Sequence, residues 1–98
     1  MNSQINVDTN KGKFVLDFSG SFCGPCKKIA PDFHKLKDFY PNITFFQIDI
    51  EKNPKAAMDY SINSVPTFIF IKDGYEVGRV NGANVKKLYD TTEHLSRL

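Results

Sequence analysis

The sequence has no tryptophan, only two cysteines, no long apolar run and no block of like charge. A membrane-spanning helix needs roughly 20 consecutive apolar residues, so no membrane partner is expected. Thirteen Lys and Arg oppose eleven Asp and Glu, leaving a net charge of +2, and the basic residues are scattered. Such scatter cannot track a phosphate backbone, so no nucleic acid is expected either. Two cysteines are too few for a disulfide-dense secreted scaffold. The opening Met1-Asn2-Ser3-Gln4-Ile5-Asn6-Val7 lacks a basic start followed by an apolar stretch. No export signal is therefore expected, and a reducing cytoplasm is the expected location.

What remains is enough to build one core. The 98 residues are 41% apolar, with nine Phe and four Tyr. This length and composition predict one domain over residues 1–98 that folds without disulfide staples. No feature signals obligate association, and a monomer is expected.

Residues 4–7 allow a short strand, and Asp8-Thr9-Asn10-Lys11-Gly12 reads as a turn. Phe14-Val15-Leu16-Asp17-Phe18 is apolar on both faces apart from Asp17, the pattern of a central strand covered on both sides. From Gly24 to about Tyr40 the period becomes helical, with Ile29, Phe33, Leu36 and Tyr40 on one stripe and Lys28, Asp32, Lys35 and Asp38 facing away. Pro31 lies inside this helix and should kink it, and Pro41-Asn42 ends it. Residues 43–50 read as a second strand. Asn53-Pro54 reads as an N-cap with Pro at the first helical position, opening a short helix to about Tyr60. Residues 67–71 form a third strand. Asp73-Gly74 signals a tight hairpin, from which residues 75–81 return antiparallel. Asn84 caps a last helix with Val85, Leu88, Tyr89, Thr92 and Leu95 on its inner stripe. The element order predicts an α/β fold: a mixed parallel and antiparallel sheet of four to five strands, with helices on both faces.

Cys23-Gly24-Pro25-Cys26 falls where the first strong strand meets the long helix. Free amides at a helix N-terminus stabilise an anion, and the thiolate is the anion that attacks disulfides. Cys23, at the helix start, is the expected nucleophile with an exposed sulfur. Cys26, within the first turn, is the expected resolving thiol. Other readings stand beside this one. A structural disulfide across so small a ring contributes only about 2 kcal/mol in the loop-closure model. Half a zinc site would need further ligands, for which His34 and His94 are the candidates, without paired spacing. Two unrelated core thiols are the third. Redox use is favoured, and no metal is expected. Asp17 is either a solvent-facing strand-end carboxylate or a buried acid whose raised pKa lets it trade protons near neutrality.

Val15-Leu16-Asp17-Phe18, Phe22-Cys23-Gly24-Pro25-Cys26-Lys27, Ile29-Ala30-Pro31, Val65-Pro66-Thr67 and Gly82-Ala83-Asn84 together resemble the thioredoxin family over roughly residues 13–98. A cysteine pair of this spacing beside a strand–helix–strand pattern is itself a sign of that family. The resemblance implies a thioredoxin fold and protein-disulfide reduction, with no bound cofactor beyond the redox-active Cys23–Cys26 pair. It further implies disulfide-containing target proteins, and regeneration by thioredoxin reductase with electrons from NADPH. It places Asp17 beneath Cys26 as the group that helps deprotonate it. It gives Gly24, Pro25 and Pro66 as supports of the active site, with a cis Val65–Pro66 bond. It gives Phe22, Val65, Thr67, Gly82 and Ala83 as the substrate-binding surface. Pro25 points to a reductant, because a His there could stabilise the thiolate and favour the dithiol form.

Three departures from the family accompany this. Phe22 stands where Trp is usual, which removes both the indole donor and the fluorescence signal often used to follow such proteins. The region before residue 13 leaves no room for the usual first helix, so that helix is expected to be shortened or absent. Gln47 stands where many bacterial members carry a Lys near the buried Asp. Two other functions compete: a docking module in which redox is secondary, and a glutathione-using relative, whose middle residues are usually Pro-Tyr.

Overall fold

The computed structural model describes residues 8–98. Seven elements follow one another along it: β1 (Lys13–Ser19), α1 (Gly24–Phe39), β2 (Ile43–Asp49), α2 (Pro54–Asp59), β3 (Thr67–Lys72), β4 (Tyr75–Asn81) and α3 (Val85–Ser96). The strand order is β2-β1-β3-β4. β1 pairs parallel with β2, a connection that needs the crossover helix α1, and antiparallel with β3. β3 returns as β4 through Asp73 and Gly74, both at positive φ (49° and 89°). Glycine adopts that conformation without steric cost and Asp tolerates it, which is why this dipeptide closes hairpins.

β1 is central and buried from Phe14 to Ser19. Its alternating side chains feed two cores. Val15 joins Phe45, Phe68, Phe70 and Val80 beneath Ile29, Phe33 and Leu36 of α1 and Leu88 and Leu95 of α3. Phe14, Leu16 and Phe18 join Ile48, Ile69 and Ile71 on the other face, with Ala56 and Tyr60 from the α2 region packed against them. Helices therefore lie on both faces, and the mixed sheet has four strands among the described residues. The expected short strand at residues 4–7 lies outside the described residues, as does any fifth strand built from it. Residues 8–12 are not helical, so no helix precedes β1 among the described residues.

Three local expectations are corrected. Asn53 occupies the N-cap of α2 but makes no side-chain capping bond. It is buried, and its Nδ2 donates to the Asp49 carbonyl at 3.0 Å, which diverts the side chain from the cap. Asp32 does not simply face away: it accepts a 2.9 Å bond from the Tyr89 hydroxyl, tying α1 to α3. Val85 is 42% exposed and outside the buried stripe of α3, which is Leu88, Thr92 and Leu95.

Candidate functional site

The chain leaves β1 at Ser19 and turns through residues 20–22, where the Cys23 amide donates to the Gly20 carbonyl at 3.2 Å. Cys23 is the N-cap of α1, in extended conformation (φ −94°, ψ 102°). Its Sγ accepts a bond from the Cys26 amide at 3.1 Å, the place an oxygen takes in ordinary capping. Pro25 fits the first turn because its missing N–H would have no helical partner there. The sulfur thus sits against free helix-start amides, where a negative charge is favoured.

Cys23 and Cys26 are bonded to each other, with Cα atoms 5.2 Å apart. In this oxidised form the bonding partner of each sulfur is the other cysteine, as redox use requires. His34 and His94 are exposed, His94 in the last turn of α3. Among the described residues no three His, Cys, Asp or Glu side chains converge on a point that could hold a metal.

The exposure of Cys23 departs from expectation. It is 9% exposed against 5% for Cys26, the more open of the two but not freely exposed. Bonded to Cys26 and set below the turn, it meets solvent in a shallow groove of about 280 Å³ shared with Phe22, Ile50, Glu51 and Val65. Cys26 opens separately into a pocket of about 320 Å³ with Ser19, Ala30, Gln47 and Asp49. The two sulfurs face different surroundings: an apolar groove for Cys23 and a more polar pocket for Cys26.

Asp17 is 1% exposed, and burial raises its pKa from 3.8 to about 7. Its Oδ1 has no hydrogen-bond partner within the protein. Register places it between Gln47 of β2 and Phe68 of β3. It is two residues from both Val15 and Ser19 and so shares their face of the strand. Val15 lies under α1, and Ser19 lines the same pocket as Cys26. The acid is therefore on the α1 side of the sheet, and the solvent-facing alternative is excluded.

The remaining candidates gather at the same end. Phe22 is 95% exposed. Gly24, Pro25 and Ala83 line a depression of about 320 Å³ beside the first turn of α1. The Val65–Pro66 bond is cis. The Pro66 carbonyl accepts from the Gly82 amide at 2.8 Å, and Gly82 has φ 88°, a conformation that favours glycine. A Cβ at Gly82 or Gly24 would meet nothing within 4 Å, so open space faces both. Thr67 is 1% exposed, and its hydroxyl donates to the Ser64 carbonyl at 2.7 Å, so its side chain braces the loop from inside.

Ile50 and Glu51 were not legible as site residues. They reach the groove because the parallel pairing of β1 and β2 sets Ser19 opposite Asp49, and the Ile50 amide donates to the Ser19 carbonyl at 3.0 Å. Glu51 is held there by a 2.7 Å bond from Ser21 Oγ. The only available signal was topological: loops at the carboxyl ends of neighbouring parallel strands meet.

The family model described as Thioredoxin matches residues 2–94. Thioredoxin of Rattus norvegicus is 46% identical over 77 residues, which cover 79% of this chain and 73% of the rat protein. The X-ray structure of Fasciola hepatica thioredoxin superposes with a TM-score of 0.84 at 45% identity, covering 88% of this chain and 84% of that one. A chain from a structure concerned with the thiol-resolving mechanism in yeast mitochondrial 1-Cys peroxiredoxin via glutathione/thioredoxin systems gives a TM-score of 0.85 at 33% identity, covering 89% of this chain and 82% of that one.

Proposed function

The chain belongs to the thioredoxin family and is a thiol–disulfide oxidoreductase, and we propose the following division of labour for reducing disulfides in other proteins. In the dithiol form, the Cys23 thiolate attacks one sulfur of a target disulfide. A mixed disulfide forms on Cys23, and the target's other sulfur leaves as a thiolate. Cys26 then loses its proton and attacks Cys23 Sγ. This closes the Cys23–Cys26 bond, releases the second target thiol and moves two electrons from protein to target. The observation that carries the reading is the placement of Cys23 Sγ: at the N-cap of α1, on the Cys26 amide, and lining an apolar groove.

Asp17, on the α1 side of β1, takes the proton from Cys26 through water. Its burial puts its ionisation near neutrality, where both protonation states are available. Phe22, Gly24, Pro25, Val65, Gly82 and Ala83 form the rim that receives the target. An extended target segment pairs with the main chain at Val65 as an added strand. Pro25, which carries no positive charge to stabilise a thiolate, suits a reductant. We further propose one domain over residues 1–98, a monomer, a cytoplasmic location and regeneration by thioredoxin reductase from NADPH. No described helix is long and apolar enough to cross a membrane. Oxidised peroxiredoxins are one target class to assay.

The test is NADPH-driven reduction of insulin with thioredoxin reductase, set against glutathione as reductant. Wild type should be active with the reductase. Cys23→Ser should be inactive, and Cys26→Ser should accumulate a mixed disulfide with its target. Activity in Cys23→Ser would refute the assignment, and preference for glutathione would move the chain to the glutathione-using class.

A further inference from the structure

A second cluster of polar bonds lies outside the disulfide site, at the start of a segment that leads into it. Arg79, on the edge strand β4, reaches the end of α2. Its Nη2 donates to the Tyr60 carbonyl at 2.8 Å, and its Nη1 to the Ser61 carbonyl at 3.4 Å. The Glu76 carboxylate grips the same guanidinium from behind, at 2.9 Å on Nε and 3.0 Å on Nη2. Tyr60 is the C-cap of α2, where carbonyls have lost their helical donors. A guanidinium carries five N–H groups in a fixed fork, so one side chain can serve a carboxylate and two carbonyls together.

What Arg79 holds is the start of residues 61–66. Ser61 has φ 53°, in the left-handed region that non-glycine residues seldom occupy. From there the chain runs through the exposed Asn63 and Ser64 to Val65, on the groove beside Cys23. The far end is pinned by Thr67 Oγ1 on the Ser64 carbonyl at 2.7 Å and by the Gly82 amide on the Pro66 carbonyl at 2.8 Å. Tyr60 itself is anchored through its ring, 5.5 Å from that of the buried Phe18. Between these pins Ile62 packs against the core of Leu16, Phe18 and Ile69, and its amide donates to the Ala57 carbonyl at 2.9 Å, so Asn63 and Ser64 are the exposed stretch that remains. Such stretches open easily unless their ends are fixed.

We propose that Arg79, gripped by Glu76, is a positioning residue for the reaction. By holding the Tyr60 and Ser61 carbonyls it fixes the main chain at Val65, where a target strand pairs while Cys23 attacks. The proposal rests on the pairing at Val65 put forward above.

The test measures kcat/KM for a disulfide peptide, for the same peptide N-methylated on either side of its cysteine, and for the small disulfide dithionitrobenzoate. In wild type, N-methylation should slow the peptide. In Arg79→Gln the unmodified peptide should lose about fivefold, the weight of one hydrogen bond, through KM. Dithionitrobenzoate, which pairs with no backbone, should keep its rate. Arg79→Lys retains the charge without the fork and should fall between wild type and Arg79→Gln. A wild-type rate blind to N-methylation defeats the pairing at Val65. Sensitivity to N-methylation with no change in Arg79→Gln defeats the role of Arg79 alone. An equal loss on peptide and dithionitrobenzoate overturns it as general damage, and full recovery by Lys overturns the fork.

Discussion

A carboxyl group with no internal partner in a buried strand is costly to ionise, and Asp17 is that group. With a folded pKa of about 7 against 3.8 for an ordinary Asp, the folded chain keeps a proton that the unfolded chain releases between those values. Stability from this residue is therefore greatest at low pH and falls as pH rises through that window, levelling above it. The gap corresponds to about 4 kcal/mol if fully expressed. Asp17→Asn should flatten the slope. In urea unfolding of the oxidised protein, the variant should exceed wild type at pH 8 and lose that advantage at pH 4. The same variant should slow release of the mixed disulfide and lose the inflection near neutrality in that step's pH profile. Parallel stability curves would show that the carboxyl is not the buried acid described. Asp17 was legible because a lone carboxylate interrupts an apolar run. Arg79 was not, because an Arg in a polar edge strand looks like any solvated surface residue. The inward direction of the Thr67 side chain was not legible, because adjacency to Pro66 in sequence says nothing about which way a strand side chain points.

The two Asn caps show how far a local signature reaches at the scale of an element. Asn84 caps α3: its Oδ1 accepts from the Lys87 amide at 3.0 Å. Asn53 precedes a proline, the stronger helix-start signature, and yet donates to Asp49 instead. The local signature, with Pro54 after Asn53 and Val85 after Asn84, thus favours the cap that is not made. The difference comes from the burial of Asn53 against the end of β2, which is a tertiary fact. Asn84→Ala should therefore cost about 1 kcal/mol, lowering Tm by about 4–8 °C in a domain of this size. Thermal unfolding followed by circular dichroism checks it, and an unchanged Tm would mean that the cap bond contributes nothing net. The periodic elements were legible nearly to their ends, because Ile29, Phe33 and Leu36 on α1 and the apolar run of β1 each match one period. Residues 4–7, with a weak pattern and no described structure, stay an expectation.

At the scale of the molecule, function follows from where chain direction brings loops together. β1 and β2 run parallel, so the turn before α1 and the residues after β2 share one end. The antiparallel β3 begins at that end and β4 finishes there, bringing Val65 and Gly82 alongside. The sequence motif identified the sulfur chemistry without the groove, since Ile50 and Glu51 enter it only through strand pairing. The most direct test of the account is the acidity of Cys23 in the reduced protein, read from the pH dependence of its alkylation by iodoacetamide. The helix-start position predicts half-reaction well below the free-cysteine value of about 8.5, with Cys23 modified before Cys26. Half-reaction at about 8.5, or prior modification of Cys26, would contradict it.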